Sequence, residues 1–85
     1  MLRPSKSIAG VEVVPGAQVQ VRSNMEQLGF TYVAVCESID PEKWHGEARL
    51  MGTTLLATPA MDDYRQAGRA AETALKERLV ALLCD

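Results

Sequence analysis

Apolar and polar residues alternate on both sides of a Pro-Gly pair near the start of the chain, in GVEVVPGAQVQVRS (residues 10–23). This alternation is typical of strands that bury one face. A three-residue loop over residues 15–17 would set Val13 opposite Val19 and Val11 opposite Val21. The pattern therefore predicts a first β-hairpin, although Pro-Gly favours a type II turn, which matches strand twist less well than other hairpin turns.

Two later runs, FTYVAVCESI (30–39) and EARLMGTTLLA (47–57), are rich in β-branched and aromatic residues and predict two more strands. Between them, DPEKWHG (40–46) has Pro41 and Gly46 at its two ends and is predicted to be the turn. A pairing symmetric about Lys43 sets Glu37 opposite Arg49, an opposite-charge pair. On this interpretation the segment EKWHGEARL (42–50) forms the tip of a second hairpin.

Apolar residues then recur every three or four positions, which predicts a long helix in the last part of the chain. Its apolar face holds Tyr64, Gly68, Ala71, Leu75, Leu79 and Leu82. Thr58 is the predicted N-cap, with Pro59 at the first helical position. A single helical turn is also predicted for residues 23–29, where Gly29 can end the turn in a left-handed conformation.

The predicted fold is α+β: an antiparallel four-stranded sheet made of two β-hairpins, with one long C-terminal helix packed on one face. Residues 1–85 make one small domain, and residues 1–7 are expected to be a flexible lead-in. Small residues on the even-numbered sheet face, Ala34 and Gly52, should meet small residues of the helix, Gly68 and Ala71. The inner face of the sheet is therefore predicted to be the even-numbered one.

The odd-numbered face should then meet solvent, yet it is more apolar than a solvated face of an antiparallel sheet usually is. The end of the helix, LVALLC (79–84), is apolar on every side. Contiguous apolar patches on small proteins usually mark interaction sites. The predicted partner or oligomer surface consists of Val33, Val35, Met51, Leu55, Val80 and Leu83, and C2 homodimers are the commonest way to cover such a surface. The other interpretations are that good strand formers occupy these positions or that the N-terminal segment covers them.

Charge and composition exclude some classes of protein. The net charge of −2 has the wrong sign for electrostatic capture of a phosphate backbone. The longest apolar run has six residues, against about 20 for a membrane span, and no signal-peptide pattern follows the first residues. We therefore expect a cytoplasmic protein that does not bind membranes. Cys36 and Cys84 lack metal-ligand spacing and are expected to be thiols.

The only tryptophan and the only histidine, Trp44 and His45, are adjacent and belong to the predicted tip. Trp44 could fold back over the edge of the sheet, or both residues could form an exposed anchor for a partner. A Cys36–His45 nucleophilic pair would be more than about 10 Å apart in this hairpin. The sequence therefore predicts no catalytic residue, no metal ligand, no cofactor-binding residue and no enzyme activity.

The predicted function is that of a non-enzymatic interaction module that self-associates and binds another protein. A nucleic-acid-associated regulatory module is an alternative, because the order of three strands and a helix is similar to that of double-stranded-RNA-binding domains and of antitoxin-like modules. That alternative would use Arg65, Arg69 and Lys76, but Asp62 and Asp63 stand where an RNA-binding domain needs lysines. A small-molecule or metal-binding protein that uses Trp44 and His45 is the third possibility.

Overall fold

The computed structural model of this chain describes residues 7–8, 10–22 and 28–83. It confirms the α+β class: an antiparallel four-stranded sheet carries one long helix, and a small two-stranded sheet lies beside it. The two-stranded sheet pairs β1 (Ser7–Ile8) with β2 (Val11–Glu12). The larger sheet has the order β3-β4-β5-β6, and its elements with the helix are β3 (Gln18–Val21), β4 (Phe30–Ile39), β5 (Glu42–Leu50), β6 (Thr53–Ala57) and α1 (Tyr64–Leu83).

The first predicted hairpin is wrong in its pairing, although its turn is present. The Ala17 N–H donates to the Val14 carbonyl at 2.9 Å, and Gly16 has a φ of 92°, as a type II turn requires. Such a turn splays the strands that it joins. After it the chain pairs with β4 instead, where the Cys36 N–H donates to the Ala17 carbonyl at 2.8 Å. Val13 therefore enters the core without facing Val19 across a ladder.

The central hairpin turns three residues earlier than predicted. Asp40 and Pro41, joined by a cis peptide bond, form the turn between β4 and β5. Phe30 accordingly pairs with Leu50. The segment EKWHGEARL is therefore the whole of β5 and not a tip. The tip was misplaced because Gly46 was interpreted as the far end of the turn, whereas in the structure it is a buried residue within β5.

The predicted last strand is divided by a second turn. Met51 and Gly52 have φ values of 50° and 86°, and two successive positive values are the mark of a type I′ hairpin turn. Gly52 is thus a turn residue and not part of the core, which corrects its predicted contact with the helix. The ladder between β5 and β6 shifts register after Ala48, so β6 carries a bulge at the edge of the sheet.

The helix begins later than predicted, at Tyr64. Residues 58–61 stay extended along β5: Trp44 and Met61 exchange backbone hydrogen bonds of 2.7 and 2.6 Å. Thr58 therefore does not cap the helix, and its hydroxyl accepts a hydrogen bond from the Gly46 N–H at 2.8 Å. Asp63 is the N-cap, because its side chain accepts from the Arg65 N–H at 3.3 Å and its carbonyl accepts from the Ala67 N–H at 3.1 Å.

Helix and sheet touch through two glycines. A Cβ atom on Gly46 of β5 would lie 1.9 Å from the carbonyl oxygen of Ala67, and one on Gly68 would lie 2.3 Å from a methyl group of Val21. The predicted close contact at Gly68 and Ala71 is confirmed, with Gly46 in the place predicted for Gly52. This approach buries two clusters, one around Trp44 and Ala34 and one around Tyr32 and Leu75.

The lead-in predicted for residues 1–7 and the helical turn predicted for residues 23–29 lie largely outside the described residues. The structure describes three of their residues, Ser7, Leu28 and Gly29. Ser7 belongs to β1. Gly29 has a φ of 92°, so its predicted left-handed conformation is confirmed.

Candidate functional site

Trp44 lies on the inner face of β5 and is completely buried. Its indole N–H donates to Glu42 Oε2 at 2.8 Å, and its ring meets that of Tyr64 at a centroid distance of 5.8 Å and an angle of 56°. The Trp44 side chain cannot be an exposed anchor, which corrects that prediction. The reason is the register, because an even position of β5 points towards the helix.

His45 lies on the outer face of β5 between two carboxylates. Its Nδ1 is 2.7 Å from Glu37 Oε2, and its Nε2 is 2.8 Å from Glu47 Oε2. An ionised carboxylate only accepts hydrogen bonds, and a neutral imidazole has only one N–H to donate. Both contacts are therefore satisfied when His45 is an imidazolium. Its side chain is 20% exposed, so His45 is not an extended anchor for a partner either.

This histidine belongs to a charged network across the outer face of the sheet. Glu47 also accepts hydrogen bonds from the Arg49 guanidinium at 2.8 and 3.2 Å and from the Thr54 hydroxyl at 3.1 Å. Arg49 reaches on to the Gln18 amide oxygen on β3 at 3.1 Å. We call Glu37, His45, Glu47 and Arg49 the outer-face network; it joins β4 to β5 and reaches β3 and β6.

The network shifts the pKa values of two of its members. Burial lowers the pKa of His45, but the hydrogen bonds to Glu47 and Glu37 outweigh burial, and the net pKa is raised. Hydrogen bonds from His45 and then from Arg49 lower the pKa of Glu47 to about 2. An imidazolium held between two carboxylates is a poor general base, because its lone pair is occupied by a proton.

Cys36 lies on the opposite face of the sheet from His45. Its side chain is 1% exposed, burial raises the pKa of its thiol, and its Sγ–H points to the Ser38 carbonyl at 3.4 Å. The predicted burial of Cys36 is confirmed. The sheet itself therefore separates the thiol from the imidazole, so the two cannot act as a nucleophilic pair.

No group of three His, Cys, Asp or Glu side chains within residues 7–8, 10–22 and 28–83 is arranged to hold a metal ion. In the outer-face network the two carboxylates contact opposite nitrogens of one imidazole ring. They therefore cannot converge with the ring on a single ion.

The predicted apolar patch on the outer sheet face is not formed. Val33 is only 8% exposed, and Val35 is half-buried between Gln18 and His45, its partners on the neighbouring strands. Both valines thus have polar partners on each side, from β3 and from β5. Met51 lies in the β5–β6 turn and is 88% exposed, and Leu55 lies at the bulge of β6 and is 39% exposed. The register places these two residues away from the valines.

The end of α1 is strongly exposed and apolar. Val80, Leu82 and Leu83 are 57%, 75% and 85% exposed. The helix is exposed at its end because it is longer than the strand beside it. From Trp44 to the end of β5 the strand runs about 20 Å, whereas α1 starts beside Trp44 and runs about 29 Å. The last turns of the helix therefore extend past the sheet.

Other apolar side chains lie at the same end of the molecule. Leu79 and Phe30 both pack against the core cluster that includes Tyr32 and Leu75, so the helix end lies near the start of β4. Next to that point Leu28 is 67% exposed, and the Met51 N–H donates to the Gly29 carbonyl at 3.4 Å. We call this end the apolar end of the molecule. It consists of Leu28, Met51, Val80, Leu82 and Leu83.

The cations of the nucleic-acid alternative follow the exposed side of α1 but are mixed with acids. Lys76 pairs with Glu72 at 3.7 Å, and Arg65 stacks over the Tyr64 ring at 5.5 Å. Lys43, at the base of β5, pairs with Asp62. Within the described part of the chain these cations form no unbroken positive stripe of the kind that a phosphate backbone binds.

The sequence did not predict the roles of Gly46 and Asp63. Gly46 sets the close approach of β5 to the helix, and Asp63 sets the start of the helix. The alternation of Trp44, Gly46, Ala48 and Leu50 with charged residues was the available signal for β5.

Comparison with protein-family models, with curated proteins and with solved structures finds no match to this chain. Among the residues that the structure describes, no helix combines the length and the apolar character needed to cross a membrane.

Proposed function

We propose that this chain is a non-enzymatic protein-interaction module that works as a homodimer. The two copies contact each other through α1. The observation that carries the proposal is the exposure of Val80, Leu82 and Leu83 on a helix that extends past its sheet. A helix covered on one side needs only a stripe of apolar residues. Here the stripe widens to the whole circumference at the helix end, which favours a second covering surface.

The size of the molecule is compatible with such a dimer. A stable interface buries about 800 Å² per partner, which is roughly one-seventh of the 5943 Å² that this chain exposes. We assign the interface to the exposed side of α1 together with the apolar end, because Val80, Leu82 and Leu83 are large apolar side chains that are more than half exposed. The outer sheet face is a poorer choice, because docking there would desolvate the outer-face network.

The chemistry of the surface supports a role in binding over a role in catalysis. The imidazole of His45 is occupied at both nitrogens, and the Cys36 thiol is buried on the other side of the sheet. Neither group is placed to meet a substrate. The proposal therefore assigns the chain to binding and gives the outer-face network a structural role.

Sedimentation equilibrium of the unmodified chain at micromolar concentrations tests the proposal, and we expect the mass of a dimer. Val80→Lys should shift this equilibrium towards the monomer, because it places a charge in the proposed contact. Gln20→Lys is the matched control, since Gln20 is exposed and alternates along β3 with Val19 and Val21, which lie on the side of the sheet that the helix covers. A monomer mass for the unmodified chain at high micromolar concentration would refute the homodimer.

A further inference from the structure

The solvent side of α1 carries a shallow groove, widely open to solvent, that is lined by Thr73, Lys76, Glu77, Val80 and Ala81. Residues at these spacings share one face of a helix. Thr73 and Ala81 are small, so a second helix could approach closely here, as helix pairs with axes about 8–10 Å apart do. The groove is largely apolar, and its two charged residues, Lys76 and Glu77, have opposite signs.

We propose, building on the homodimer above, that this groove receives α1 of a second copy of the chain in antiparallel orientation. The two-fold axis lies beside Lys76 and Glu77, so that Lys76 of each copy is next to Glu77 of the other. In an interface of this kind the same patch faces itself, and every contact occurs twice. Two ammonium groups and two carboxylates then surround the axis, and their charges balance.

Charge complementarity is the reason for choosing a second copy as the occupant. A partner with a net positive or net negative helix would leave Lys76 or Glu77 facing a like charge, and such juxtapositions oppose binding. An identical helix in antiparallel orientation supplies the opposite charge at both positions by symmetry. The same arrangement brings Leu83 of each copy alongside the partner helix near Ala70, which covers part of the apolar end.

Charge reversal tests this arrangement. Lys76→Glu would place four carboxylates around the axis, and Glu77→Lys would place four ammonium groups there. Each variant alone should dimerise at least about tenfold more weakly than the unmodified chain, which is a change in Kd that corresponds to about 1.4 kcal/mol. Mixing the two variants should restore a dimer, because one chain then carries two negative charges at the axis and the other two positive charges.

Native mass spectrometry distinguishes the products when one of the two variants is uniformly labelled with ¹⁵N, because the unlabelled variants have nearly equal masses. A heterodimer that forms in preference to both homodimers supports the antiparallel contact. If the unmodified chain is a dimer and both variants dimerise equally well, the groove is not the contact, while the proposed homodimer stands. A monomeric unmodified chain would instead refute both proposals.

A variant that adds bulk outside the Lys76–Glu77 pair serves as a further check on the groove. Ala81→Arg adds a bulky side chain at an exposed helical position, where the fold should tolerate it. It should weaken the dimer by blocking the close approach of the helices. A dimer with unchanged affinity in this variant would overturn the proposal.

Discussion

The two faces of β5 are held by different physical means. On the inner face Trp44, Gly46 and Ala48 are buried against the helix and the neighbouring segments. On the outer face Lys43, His45, Glu47 and Arg49 are held by ion pairs and hydrogen bonds. Water solvates the separated charges of an exposed ion pair, so the net contribution of the pair to stability is about 0–1 kcal/mol. Water does not compensate in this way for apolar side chains that lose their contacts in the core. The inner face should therefore dominate stability, and the outer face should respond to pH.

The largest effect should come from the inner face at Trp44. Trp44→Ala removes the largest fully buried side chain, and such truncations cost about 3–5 kcal/mol. Denaturant unfolding followed by circular dichroism measures the loss. Lys43→Ala, at the adjacent outer position, is the control and should change the free energy of unfolding by less than about 1 kcal/mol. Similar losses in the two variants would remove the distinction between the faces.

An intermediate effect is expected at Gly46, where the inner face allows no side chain. Gly46→Ala puts a Cβ against the Ala67 carbonyl, so backbone must move. Overpacking of this kind costs about 1–3 kcal/mol or more. Gly52→Ala is the matched control: its Cβ would meet nothing within 4 Å, and only its φ of 86° is unfavourable, at about 1–2 kcal/mol. A Gly46→Ala variant as stable as the unmodified chain would contradict the close approach.

The smallest effect should come from His45, and it should depend on pH. Because folding raises the pKa of His45, the stabilisation by its carboxylate partners is fully present below the unfolded value of about 6.5 and is lost as pH rises through the folded value. His45→Gln should thus be destabilised relative to the unmodified chain near pH 6, by less than about 1 kcal/mol, and the difference should shrink at higher pH. NMR titration of the imidazole gives the folded pKa directly. A folded pKa below 6.5 would contradict the network.

Glu47 gives a second pH range in which the contribution of the outer face to stability should change. Folding lowers its pKa from 4.5 to about 2. The stabilisation from this carboxylate is therefore present above pH 4.5 and is lost as pH falls through about 2. His45 and Glu47 contact each other. The loss of stability at low pH, through Glu47, and at higher pH, through His45, should therefore both reflect the outer-face network.

The assignment of the faces could be predicted from the sequence even though the register could not. The predicted and observed pairings of β4 with β5 differ by an even number of residues, so Tyr32, Ala34 and Cys36 stay on the inner face in both. The strand predicted for residues 47–57 is wrong after Leu50, because a turn of only two residues reverses the chain there. Met51 and Gly52 were read as strand residues because a type I′ turn is recognised chiefly by Asn-Gly or Asp-Gly.

Gly46 and Gly52 account for most of the errors in the predicted sheet. Gly46 was interpreted as a turn residue and Gly52 as a packing residue, and the structure exchanges the two roles. Sequence alone cannot separate a glycine that needs a positive φ from one that admits a neighbouring backbone. Of the residues predicted to form the partner surface, Val80 and Leu83 are exposed, and their part in binding stays a prediction. The sheet-face part failed because its neighbours depend on register.

The order of the strands, β3-β4-β5-β6, follows the order of the chain, and this has a consequence for folding. Each pairing in the sheet joins consecutive strands, and the last two connections are tight turns, so little loop-closure entropy opposes the sheet. The helix that covers Tyr32 and Trp44 follows the whole sheet in the chain. A growing polypeptide can therefore pair its strands before it has the means to cover them, and its inner face stays open to other chains until α1 arrives.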